Sequence, residues 1–92
     1  IYTRVGELRK GLEIDLKLIG LTPDDPLVWY NLGCSHAMLG QPAEAIKSMK
    51  RAVEHGYSDW EWMSSDPDLK ILRSYEEFQA ILKTLKAQGG LG

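Results

Sequence analysis

An all-α fold is what this 92-residue chain predicts: a solenoid of antiparallel helix pairs, closed at its C-terminal end by a capping helical segment. One observation is internal. The chain resembles itself at a separation of about 34 residues, with Gly6 in step with Gly40, Glu7 with Gln41, Gly11 with Ala45, Leu12 with Ile46 and Ile19 with Val53. A second is the punctuation Asp25-Pro26, Gly40, Pro42 and Gly56, which opens and closes two helices of similar length.

Taken in order, the N-terminal stretch needs a decision. Leu12 to Leu18 alternates apolar and polar with period two, the pattern of a strand. Leu8, Leu12, Leu16 and Ile19 also fit one helical stripe, and the chain offers no partner strand. A sheet of one strand is not stable, so the helix is preferred.

The next two helices follow from their ends. Asp25 caps a helix that Pro26 starts, because proline lacks only an amide hydrogen that the first turn cannot use, and Gly40 closes it. The second starts at Pro42, carries Glu44 in its first turn and Lys50, Arg51 and His55 toward its end, and stops at Gly56. A two-residue turn makes the pair antiparallel. Ala45, Ile46, Met49, Ala52 and Val53 form a single apolar stripe whose alanines permit close approach to the preceding helix.

Beyond Gly56 the repeat fades. Ser58 is expected to cap a short helix through Met63, Asp66-Pro67 to start another running to about Arg73, and Ser74-Tyr75-Glu76-Glu77 to form a capping box opening a last helix to about Ala87. Phe78, Ile81, Leu82 and Leu85 give that helix its apolar face. Residues 58–87 are therefore expected to cap the stack, whose open end would otherwise expose apolar surface. Residues 88–92 are expected to be a flexible tail.

The segment Trp29-x-x-Leu32-Gly33-x-x-His36, then Ala45-x-x-x-Met49, then Ala52, resembles the tetratricopeptide repeat (TPR) family at the family's spacings. His36 stands where the family has Tyr, Met49 where it has an aromatic residue, and Tyr57 where it has Pro. The resemblance implies a complete unit at residues 26–57. Residues 1–25 would be a partial upstream unit, the end of one helix and a second helix, with Tyr2, Gly6 and Pro23 at the family's Tyr, mid-unit Gly and terminal Pro. Asp15 falls where that unit should have a large apolar residue, and a buried carboxylate needs a partner. The closing segment resembles those that end bacterial arrays of this family. Because the chain starts midway through what would be a helix of the upstream unit, a longer parent is expected.

Composition bounds the function. With 43% apolar and 26% charged residues the chain suits one soluble globular domain. No apolar run approaches the roughly 18 residues of a membrane span, so no membrane role is expected. A net charge of −2 leaves no electrostatic footprint for nucleic acid. The single cysteine, Cys34, excludes an internal disulfide and fits a reducing compartment, here expected to be the cytoplasm.

The reactive side chains favour structural roles. Cys34 and His36 lie two apart on a helix, so their side chains diverge by roughly 200 degrees and cannot work as nucleophile and base. His36 is expected to pack, His55 to serve as a cation at a helix C-terminus, and Asp66 with Asp68 to be a cap and an acidic first turn rather than a metal pair. Trp29 should sit between helices. Trp60 and Trp62 point apart, so one should be partly exposed. Neither a catalytic residue, a cofactor site nor a metal site is expected.

What the resemblance implies is a concave surface lined by the first helix of the unit, which binds a peptide or partner protein. Its positions here are Leu27, Tyr30, Asn31, Cys34 and Met38. Asn31 matches the residue that contacts a ligand backbone in chaperone-binding members, but Tyr30 and Cys34 replace the Lys and Asn of their carboxylate clamp. An apolar extended or helical segment is the expected ligand. A regulatory or assembly appendage of a larger, possibly enzymatic polypeptide is the alternative, as is a homo-oligomer formed through the stripe of Leu8, Leu12 and Ile19.

Overall fold

A computed structural model describes the backbone of residues 2–91 and the side chains of residues 6–88. Helix α1 spans Tyr2–Leu21, α2 Pro26–Met38, α3 Pro42–Glu54 and α4 Trp60–Ser65. A 3-10 helix follows at Pro67–Leu72, and α5 runs over Glu76–Leu91. Among the described residues there is no strand, and no helix is long and apolar enough to cross a membrane.

The central pair forms for local reasons. Asp25 accepts a hydrogen bond from the Leu27 amide at 2.9 Å, and Pro26 occupies the first turn of α2. Gly40, at φ 75°, makes the turn into α3, and Gly56, at φ 108°, ends it. Between the two helices Gly33 is the closest point of approach: a Cβ there would lie 2.5 Å from Met49 Cε and 3.2 Å from the Ala45 carbonyl oxygen. Ala45, Met49 and Ala52 are fully buried at that seam.

Helix α2 also packs against α1 and against the 3-10 helix, so it is the middle of the structure. Asp15 finds its partner across the first of these contacts, accepting a hydrogen bond from the Ser35 hydroxyl at 2.8 Å. Leu8, Leu12 and Ile19, one or two turns from Asp15 on the same face, are half-buried. Leu16, expected in the same stripe, is instead exposed, as are Ile14, Leu18 and Leu21, which form another stripe at i, i+4 and i+7.

The structure corrects several expectations. Helix α1 continues through Gly6, where the repeat register with Gly40 suggested a mid-unit turn. A glycine costs a helix about 1 kcal/mol but does not break it. The side chain of Tyr2 lies outside the described residues. Asp59 caps α4, accepting from the Trp62 amide at 3.1 Å, in place of Ser58. The capping box at Ser74 does not form: Glu77 turns outward to Lys50, 2.9 Å away. Helix α5 extends to Leu91, past the expected end at Ala87, because no proline interrupts the backbone ladder; residue 92 of the expected tail lies outside the described residues.

The C-terminal helices share the core of the central pair. Met63, Leu69, Leu72, Phe78 and Leu85 are fully buried together with Met49 and Ala52. Trp60 is half-buried and Trp62 exposed, as their spacing required.

Candidate functional site

The five positions expected to line a groove on α2 divide into two groups. Leu27, Asn31 and Met38 are exposed, the two apolar residues to 61% and 42%. They lie within about 40 degrees of one another around the helix and span roughly 16 Å along it. Tyr30 and Cys34 are instead covered. Tyr30 is 5% exposed and Cys34 half-buried, which corrects the reading of both as open groove residues. The physical reason is the 3-10 helix, which folds back onto α2 and places Asp66 over them.

Asp66 organises this covered region. It caps the 3-10 helix by accepting from the Asp68 amide at 2.9 Å, as its position before Pro67 requires. The other carboxylate oxygen accepts from the Tyr30 hydroxyl at 2.7 Å and from the Cys34 thiol at 3.8 Å. Arg73 holds the loop by donating to the Asp66 main-chain oxygen at 3.2 Å. Tyr30 in turn stacks on Tyr57, with centroids 4.6 Å apart and rings 13° from parallel.

Burial, and next the hydrogen bond to Asp66, push the Tyr30 phenol well above its ordinary range. Burial, followed by the neighbouring Asp66 and Asp68 carboxylates, pushes the Cys34 thiol up as well. A thiol held protonated is a poor nucleophile, because the thiolate is the reactive form. Burial raises Tyr57 to about 12. Burial, with Asp66 beside it, also raises Asp68.

Ligand atoms of Cys34, Asp66 and Asp68 lie within 4.8 Å of one another, the geometry a cation would need. The chemistry points to hydrogen bonding instead. Both Asp66 oxygens already accept from protein donors, and the Cys34 thiol is one of them. Among the described residues no buried polar side-chain atom lacks a partner.

The histidines and Trp29 make contacts of their own. His36 Nδ1 lies 2.6 Å from Gln41 Oε1, near the α2–α3 turn. His55 caps α3 and stacks on Trp29 with centroids 6.2 Å apart. Trp29 donates through its indole nitrogen to the Pro23 carbonyl oxygen at 2.7 Å. Cys34 and His36 are not brought together. The residues that sequence reasoning missed are Tyr57 and Asp66 in their tertiary roles; Tyr57 was legible only as the missing proline, and Asp66 only as a cap.

Residues 26–57 match the tetratricopeptide repeat family. Over 85 residues the chain is 31% identical to a chloroplastic protein of Arabidopsis thaliana, an overlap of 89% of this chain and 25% of that relative. The chain thus spans about a quarter of the relative's length. No solved structure matches.

Proposed function

We propose that this chain, which belongs to the tetratricopeptide repeat family through residues 26–57, is a protein interaction module that binds a peptide or partner segment and performs no catalysis. The observation that carries this reading is the exposed strip Leu27, Asn31 and Met38 on the first helix of the repeat. Two apolar side chains flanking a carboxamide can hold an extended segment, the apolar residues by burial and Asn31 by hydrogen bonds to its backbone. A strip of roughly 16 Å accommodates about five residues of extended chain. Tyr30 and Cys34 lie beneath the 3-10 helix, so they would support the strip from below and touch no ligand.

The test is an affinity capture from lysate of the source organism, comparing the parent with a Leu27→Asp, Asn31→Ala double variant. Both positions are exposed, so circular dichroism should show the variant folded. A protein retained by the parent and lost by the variant supports the reading. Identical sets of retained proteins would overturn it.

A second reading rests on α1. The exposed stripe Ile14, Leu18 and Leu21 suits docking against another helix, whether of a larger polypeptide, possibly enzymatic, or of a second copy. Leu8, Leu12 and Ile19 are half-buried on the Asp15 face, so the oligomer considered from sequence would use this other stripe. Light scattering across a range of concentrations distinguishes the second copy. The cytoplasm is the proposed compartment, and the chloroplast designation of the Arabidopsis relative is the competing address; Cys34 as a free thiol fits a reducing environment.

A further inference from the structure

A cleft of about 650 Å³ opens between α4 and α5, away from the strip on α2. Its apolar wall is Trp60, Ala80 and Leu82, of which Trp60 and Leu82 are half-buried and packed on the core. Lys83 and Lys86, one turn apart on α5, stand at one end, and Glu76 stands at the other. From Glu76 to Lys83 is two turns, roughly 10 Å.

Lys83 and Lys86 share the cleft with an aromatic face and have no acidic partner among the described residues. As for most basic residues of the chain, no described carboxylate lies within ion-pair distance of Lys83 or Lys86. The Lys86 ammonium instead sits 5.2 Å from the centre of the Trp60 ring, held over its face. Two unpaired cations beside an aromatic wall form a site for a carboxylate next to an apolar side chain.

We infer that the α4–α5 cleft binds an acidic peptide, with an apolar side chain against Trp60 and Leu82 and carboxylates at Lys83 and Lys86. Glu76 sets the orientation by repelling an acidic residue at the far end. It also disfavours a phosphate backbone, which would run negative charge past both ends of the cleft. A bilayer surface fits poorly because the lysines border a concave feature, and flat anionic headgroups could not reach its wall.

The probe is a fluorescein-labelled peptide Leu-Asp-Glu-Leu-Glu-Asp, followed by anisotropy, with the corresponding Asn/Gln peptide as control. The parent should bind the acidic peptide, and a Lys83→Glu, Lys86→Glu double variant should bind it at least about tenfold more weakly. Raising the salt from about 50 to about 300 mM should weaken parent binding and leave the variant little changed. Both lysines are exposed, and circular dichroism checks that the variant is folded. Equal affinity for the control peptide, equal affinity of the variant, or no parent binding at millimolar peptide would overturn the inference. So would light scattering that showed a parent dimer lost in the lysine variant, since a second copy would then occupy the cleft. The Leu27→Asp, Asn31→Ala variant should bind the probe as the parent does; loss of binding there would move the peptide to α2 and overturn the cleft while leaving the interaction-module reading intact.

Discussion

The Tyr30 hydroxyl donates to the Asp66 carboxylate at 2.7 Å, joining two buried side chains 36 residues apart. Through this bond, and the apolar packing around it, the α2–α3 pair and the C-terminal helices share one core. Tyr30 is rooted in α2 and stacks on Tyr57 beyond the end of α3, while Asp66 opens the 3-10 helix. No described cation lies within ion-pair distance of the Asp66 carboxylate, so neutral donors carry the stabilisation of its charge.

Removing one donor should therefore be costly. Tyr30→Phe keeps the ring and its stack but deprives a buried carboxylate oxygen of its shortest hydrogen bond. The expected loss is about 1 to 3 kcal/mol, read from urea unfolding. A midpoint equal to the parent's would show that the bond contributes nothing net.

The same phenols make the fold sensitive to alkali. Burial raises Tyr57 from the ordinary 10.0 to about 12, and raises Tyr30 with help from the Asp66 hydrogen bond. The folded state thus favours the neutral phenols, and the unfolded chain loses its protons first as pH rises. Stability should be intact below about pH 10 and fall between about 10 and 12. Melting temperature measured against pH, with tyrosinate absorbance followed in parallel, checks this. Tyr30→Phe should make the decline shallower, and an unchanged slope would assign it to other groups.

Much of this was legible in the sequence, for a physical reason. Asp25-Pro26, Gly40, Pro42 and Gly56 act within one turn of where they stand, so the ends of α2 and α3 could be read locally. The alanine stripe of α3 likewise identified its buried face, because helical spacing fixes which residues share a side. Gly6 misled since glycine permits a turn without requiring one. Tyr30 and Cys34 are covered although their helical positions fall on the expected groove, because the fold-back of the 3-10 helix depends on a contact 36 residues away, and no local pattern announces it. The partner of Asp15 is invisible in the local pattern for the same reason: Ser35 lies on the next helix.

The α2–α3 seam should tolerate no added volume. Gly33→Ala would place its methyl group against Met49 Cε and the Ala45 carbonyl, and Ala45→Leu would add three carbons at a fully buried site. Each is expected to destabilise by about 1 to 3 kcal/mol. Melting temperatures within error of the parent would mean that the helices separate at little cost, contrary to the close packing described.

Tyr57 sets the family pattern against this chain's own structure. The repeat family favours proline there, and a substitution toward a family's common residue is often stabilising. Here the Tyr57 amide donates to the Ala52 carbonyl at 2.9 Å, closing the end of α3, and its ring covers Tyr30. Proline would remove both the donor and the aromatic partner, leaving a helix-end carbonyl to seek another bond. Tyr57→Pro is therefore expected to cost about 2 kcal/mol or more, combining the lost hydrogen bond with the lost stack. Tyr57→Phe retains the amide and the ring and should stay close to the parent. Thermal melts of the two variants separate the contributions: a proline variant as stable as the parent would show that the family's usual ending is compatible with the helices that follow, and that Tyr57 serves something other than the fold.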